Sequence, residues 1–148
     1  DEADPLSLGG AGLSPRADRV LMPLMARADA ILLLGYDPIE MRLGWRNPWT
    51  AGKTVIEVAP VARSHGMHAA THVLTGALDE TLTALRHEAP PRWPGAEPAA
   101  ARAALKAAFA DPGPWGPHAV FATLRRAMPP ETVITADSGA HRILVSQM

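Results

Sequence analysis

Cysteine is absent from the 148 residues. That removes disulfides, thiolate metal sites and thiol nucleophiles together, and it fits a cytoplasmic protein. Long apolar runs are absent as well. The longest, AILLLG at 30–35, is far too short to span a bilayer, so no membrane partner is expected. An excess of either charge is also missing: 14 basic side chains face 15 acidic ones. Nothing in that balance recruits nucleic acid or an anionic surface. The opening DEADPLSLGG is acidic and turn-rich and is not a signal peptide. No G-x-G-x-x-G stands after a strand, which counts against a simple dehydrogenase. Ser14, Ser64, Ser138 and Ser146 lie outside any G-x-S-x-G elbow, so a serine hydrolase finds no support. An initiator Met is lacking, and GAHRILVSQM reads as a helix starting up. The expectation is a segment of a longer protein.

What is present is an apolar fraction of 47%, enough for a packed core. Pro5, Gly9, Gly10, Gly12 and Pro15 make the start an irregular loop. Ser14 is placed as an N-cap, with Pro15 at the first helical position and Leu21, Leu24 and Met25 as a stripe. Pro23 predicts a kink or an early break. AILLLG (30–35) has the pattern of a strand buried on both faces. KTVIEVAP (53–60) and THVLTG (71–76) read as two further strands. ALDETLTALRHE (77–88) is an amphipathic helix with Leu78, Leu82 and Leu85 on one side. Residues 89–98 hold Pro90, Pro91, Pro94 and Pro98 and read as a linker. Residues 99–111 are helix-prone and are followed by the break PGPWGP. A helix over 118–128 directs Val120, Phe121 and Leu124 inward. ETVITAD (131–137) reads as a strand, and a Ser-Gly turn leads into a last helix. Strands alternating with helices predict an α/β fold with a parallel sheet, and the composition break near 89–117 predicts two units.

Ligands of open parallel sheets sit beyond the carboxyl ends of strands, which singles out two tips. At the first, Gly35 ends a strand, and Asp37 and Glu40 stand ready to accept hydrogen bonds from hydroxyls. The competing reading is a turn and helix cap, with Asp37 before Pro38. At the second, Asp137, Ser138, Gly139, Ala140 and His141 lead from a strand into a helix. The free amides and positive dipole end of that helix suit a phosphate or carboxylate. The competing reading is a capped helix with a solvent-facing His141. His65, His68 and His72 tempt a metal reading, but Gly66 interrupts them and no carboxylate lies close in sequence. They read as exposed loop residues, with a loop gathered around an anion as the alternative. Trp45 and Trp49 read as core or interface packing rather than as ligand-stacking rings.

ADAILLLGYDPIEMRLGWRNPW resembles the central-domain segment of thiamine-diphosphate-dependent enzymes of the acetolactate synthase group, where an aliphatic strand ends in Gly-Tyr-Asp-Pro-x-Glu. KTVIEVAP and VLTGALDETLTAL resemble the strands and helix that follow. WGPHAVFATLRRAMPPETVITADSGAHRILVSQ resembles the start of that family's diphosphate-binding domain. Order and spacing match across nearly the whole chain. The resemblance implies a partial, Rossmann-like central domain over 1–88, a linker with a helix over 89–117, and the first α-β-α unit of a diphosphate-binding domain over 118–148.

By the same resemblance, Gly139, Ala140 and His141, with Ser138 beside them, fall on the Gly-x-His stretch that helps hold the cofactor's diphosphate. Gly35 and Asp37 fall on a strand tip that lies near FAD in the biosynthetic acetohydroxyacid synthases. The family's Ile-Asp-Ile-Asp is here Ile56-Glu57-Val58-Ala59, and its Gly-Asp is Gly76-Ala77. Partners for a dinucleotide's hydroxyls are thereby lost, so no FAD is expected. The cofactors implied are thiamine diphosphate and Mg2+. The substrate implied is a 2-keto acid, with pyruvate to acetolactate as the leading reaction. Sulfoacetaldehyde acetyltransferase and benzoylformate decarboxylase activities stay open. Family sites form between subunits, which implies a dimer or tetramer. The family's catalytic glutamate and its Mg2+-binding Gly-Asp-Gly are not among these residues, so the segment alone is expected to be inert. The rival expectation is a non-catalytic nucleotide-binding α/β module or a regulatory remnant of the same family.

Overall fold

The computed structural model describes residues 4–38, 41–62, 64–86, 93–110, 113 and 115–147. These fall into two compact units. One comprises Met22–Pro94; the other joins Asp1–Leu21 to Gly95–Met148.

The 22–94 unit is built on a three-stranded sheet in the order β1 (Ala30–Leu34), β2 (Thr54–Ala59), β3 (His72–Thr75). Both pairings are parallel. Ile31 sits opposite Val55 and Leu33 opposite Glu57 on one face, and Leu34 sits opposite Val58 on the other. Strand ends therefore share one edge, where the Gly35 amide donates to the Val58 carbonyl at 2.8 Å and that of Gly76 to Ala59 at 3.2 Å. Ile31, Leu33 and Val55 are packed by Met25, Ala28, Tyr36, Trp49 and Ala70. The Thr71 hydroxyl opens β3: it accepts from the Val55 amide and donates to the Val55 carbonyl, both at 2.9 Å.

Three expectations for this unit need correcting. AILLLG is buried on one face only: Ile31 and Leu33 are inside, but Leu32 is 55% exposed and Leu34 42%. β1 lies at the sheet edge, and only its Ile31/Leu33 face is covered by the described residues. Strands and helices do not alternate strictly either. Among the described residues, the passage from β1 to β2 holds a single 3-10 turn, Leu43–Trp45, and the passage from β2 to β3 holds no helix. The helix that does follow β3, α2 (Leu78–Leu85), leaves Leu82 and Leu85 exposed and packs through Leu78.

Helix α1 (Pro15–Arg27) begins as the sequence predicts. The Ser14 hydroxyl accepts from the Ala17 amide at 3.3 Å, satisfying one of the free donors of the first turn. Pro23 does not stop it; the helix runs on to Arg27.

The other unit gathers the start of α1 with α3 (Glu97–Ala108), α4 (Pro117–Ala127) and α5 (Ala140–Gln147). Ala17, Leu21, Leu105 and Phe109 are buried. The Gly10 amide donates to the Ser146 carbonyl at 3.2 Å, and Gln147 Nε2 donates back to the Gly10 carbonyl at 2.7 Å. The predicted helices at 99–111 and 118–128 are thus present, α3 starting earlier at Glu97. Of the predicted linker over 89–98, residues 89–92 lie outside the described residues, and 97–98 belong to α3. Val120 and Leu124 are largely exposed rather than turned into a core, with Phe121 half-buried. The 131–137 stretch forms no strand: it has no ladder partner among the described residues, and Val133 is 88% exposed. β-branched residues favour extended backbone, but a strand exists only when a neighbour completes its hydrogen bonds.

Candidate functional site

The two predicted tips belong to different units. Gly35 and Asp37 follow β1 in one; Ser138 to His141 lead into α5 in the other.

At the β1 tip, Gly35 adopts φ +55°, and a Cβ there would stand 2.8 Å from Leu78 Cδ1. Glycine is needed for two packing reasons, the left-handed turn and the close approach of α2. Asp37 is exposed, and the Met41 amide closes one turn on the Pro38 carbonyl at 2.9 Å. No helix is described between β1 and Leu43, and residues 39–40, where the cap reading puts its first turn, lie outside the described residues. Glu40 lies outside the described residues.

Sequence reasoning missed what surrounds this tip. Tyr36 leaves β1 and meets His68, its hydroxyl 2.9 Å from Nε2. Their rings are 5.3 Å apart, Trp49 lies 5.0 Å from His68, and His65 lies edge-on to both Tyr36 and His68 at 6.3 and 5.7 Å. Beneath them Glu57 is 4% exposed, its Oε1 3.8 Å from His65 Nε2. His65 Nδ1 accepts from the Met67 amide at 3.1 Å. A nitrogen that accepts carries no proton, so the ring's proton sits on Nε2, facing Glu57. Asn47 ties the two loops together. In the left-handed region at φ +46°, it donates its amide to the Met67 carbonyl at 3.0 Å and accepts from the Ala69 amide at 2.8 Å.

Burial first, then the neighbouring His65, lowers the pKa of His68 from its usual 6.5. Burial first, then the Asp37 charge, raises that of Tyr36. Both shifts favour the neutral forms, so the pair stays an uncharged hydrogen bond around neutral pH. His65 and His68 are half-buried, not the exposed loop residues the sequence suggested; of these three histidines, His72 is the exposed one. Among the described residues, no three His, Asp or Glu side chains are placed to hold a metal ion. Trp45 is buried and Trp49 joins the core, as expected of them. The available signal was Glu57, an acid inside a β-branched strand, which demanded a partner.

At the second tip, Gly139 has φ +150°, and a Cβ would come within 2.8 Å of the His141 ring. His141 thus folds back over the glycine at the start of α5. The Arg142 amide is spent on the Gly139 carbonyl at 3.2 Å. The amides of Ala140 and His141 precede it, in the turn whose donors lack partners inside the helix. Ser138, Gly139, Ala140 and His141 are all exposed. The arrangement offers two backbone donors, a hydroxyl and an imidazole to one anion.

No protein-family model, no curated protein and no solved structure matches this chain.

Proposed function

We propose that this chain is a segment of a thiamine-diphosphate-dependent carboligase or decarboxylase acting on 2-keto acids, of the acetolactate synthase type, with pyruvate to acetolactate as the leading reaction. The colinear resemblance supports it, and the parallel order β1-β2-β3 followed by a helix agrees with that resemblance. The observation that carries it is the turn at Gly139, where a Cβ would stand 2.8 Å from the His141 ring that closes over the first turn of α5. The residues fit a diphosphate. Ser138 and His141 would donate from side chains, Ala140 and His141 from backbone amides, and Gly139 would let a phosphate oxygen approach the main chain. Thiamine diphosphate, when bound, supplies an electron sink for breaking a carbon–carbon bond beside a ketone. The chain's own part is to hold and orient the charged tail; the Mg2+ ligands and the catalytic acid belong to other segments of such an enzyme.

A second reading, a non-catalytic α/β module, is favoured by the β1 tip. There Leu78 closes on Gly35, and alanine stands at 59 and 77 where a dinucleotide would want acids.

The test is a titration of thiamine diphosphate with Mg2+ into the longest polypeptide that contains this segment. The melting temperature should rise with cofactor concentration. His141→Ala should weaken binding by about 1–2 kcal/mol, the cost of one charge-assisted hydrogen bond. An unchanged dissociation constant would remove His141 from the site, and no thermal shift at all would leave the module reading standing.

A further inference from the structure

We propose that the unit formed by residues up to Leu21 and from Gly95 onward carries a separate binding site for an organic anion: a phosphate or carboxylate attached to a flat apolar body. A cavity of about 760 Å³ opens between α3 and α4, within the size range of small-molecule pockets. Lys106 reaches it from α3 and Arg126 from the last turn of α4; Arg102, which donates to the Asp4 carbonyl at 2.7 Å, and Arg125 also line it. No acidic side chain is among its described lining residues. Lys106 and Arg126 bring two positive charges to one space, and an anion that enters it is attracted by both. The Arg126 guanidinium donates to the Thr123 hydroxyl at 3.1 Å, a neutral partner that orients the fork and leaves its charge in place.

Two further features define the ligand's body and its polar handle. The Trp115 indole is 71% exposed beside the cavity, and Phe109 lies in its wall, so a flat group has a ring to stack on. His118 Nε2 is buried without a hydrogen-bond partner among the described residues, and the ring lines the same space. A buried ring nitrogen left unpaired is costly, and a ligand oxygen would satisfy it. Ala119 and Ala122 keep that wall of α4 thin. Neither the Gly139 loop nor thiamine diphosphate enters this inference.

The experiment titrates phenyl phosphate, inorganic phosphate and phenol into the 148-residue chain at low ionic strength, by calorimetry and by amide chemical-shift mapping. Phenyl phosphate should bind at least ~10-fold more tightly than either fragment. Its signals should fall on Ala119, Ala122 and Ser146, and added salt should weaken it. The double substitution Lys106→Gln/Arg126→Gln should lower its association constant by at least ~10-fold, whereas Arg126→Lys should retain binding within ~3-fold. Trp115→Ala should bring phenyl phosphate down toward inorganic phosphate while leaving the latter unchanged. Lys106, Trp115 and Arg126 are exposed, so the helices survive these changes. Equal affinity for phenol and phenyl phosphate, an unaffected double variant, or shifts confined to other residues would each overturn the proposal.

Discussion

Replacing Gly35 with alanine adds one carbon and tests the β1 tip directly. At φ +55° a side chain pays roughly 1–2 kcal/mol for the left-handed backbone. The stiffer unfolded chain returns about 0.4–1 kcal/mol of that. The new methyl would also stand 2.8 Å from Leu78 Cδ1, well inside contact distance. Forcing Leu78 aside adds the usual overpacking cost of about 1–3 kcal/mol, so the total should lie at about 1–5 kcal/mol. The backbone and packing parts separate in a double-mutant cycle with Leu78→Ala, because shortening Leu78 makes room for the methyl. Urea unfolding of the four proteins should show the double variant more stable than the sum of the singles predicts, by about 1 kcal/mol or more. Strict additivity, or a Gly35→Ala protein as stable as the parent, would refute the claim that glycine is held here by the approach of α2.

Two further outcomes follow from the same sheet. Thr71→Val strands the amide of Val55, a residue only 1% exposed, and should cost about 1–3 kcal/mol; Thr71→Ser, which keeps the hydroxyl, should recover most of it in the same denaturation assay. Because His68 is held below its ordinary 6.5, the unfolded chain takes up that proton more readily than the folded one. Its contribution is complete above about pH 6.5 and is lost as the pH falls through the folded value, so the urea midpoint should drop on acidification from about pH 7.5 to about pH 5. His68→Gln should flatten that slope, and an equally steep slope in the variant would assign the effect to other groups.

Local chemistry made the elements legible. The β-branched run at 54–58 and the Ser14-Pro15 start of α1 each declare themselves within a few residues. Which face is covered could not be read the same way. Leu32 and Ile31 are alike in sequence, and only the packing of Met25, Ala28, Tyr36, Trp49 and Ala70 on one face of β1 separates them. The ring cluster was hidden for a related reason. Tyr36, Trp49, Glu57, His65 and His68 come from four segments, and it takes the parallel register of Leu33 with Glu57 to place the acid beneath the rings. Position 139 was different. A glycine before a helix with histidine two residues on was visible in the sequence, and the ring folded over that glycine is the detail that geometry added.

The stretch at 132–137 has a practical consequence for anyone handling the polypeptide. It pairs with no strand among the described residues, and Val133 and Ile134 stand exposed on it. Such a stretch is a ready template for intermolecular pairing, and crowding two molecules together supplies the missing neighbour. In a concentrated sample these few positions are where association between copies is expected to begin, independently of how stable the sheet at 30–75 is.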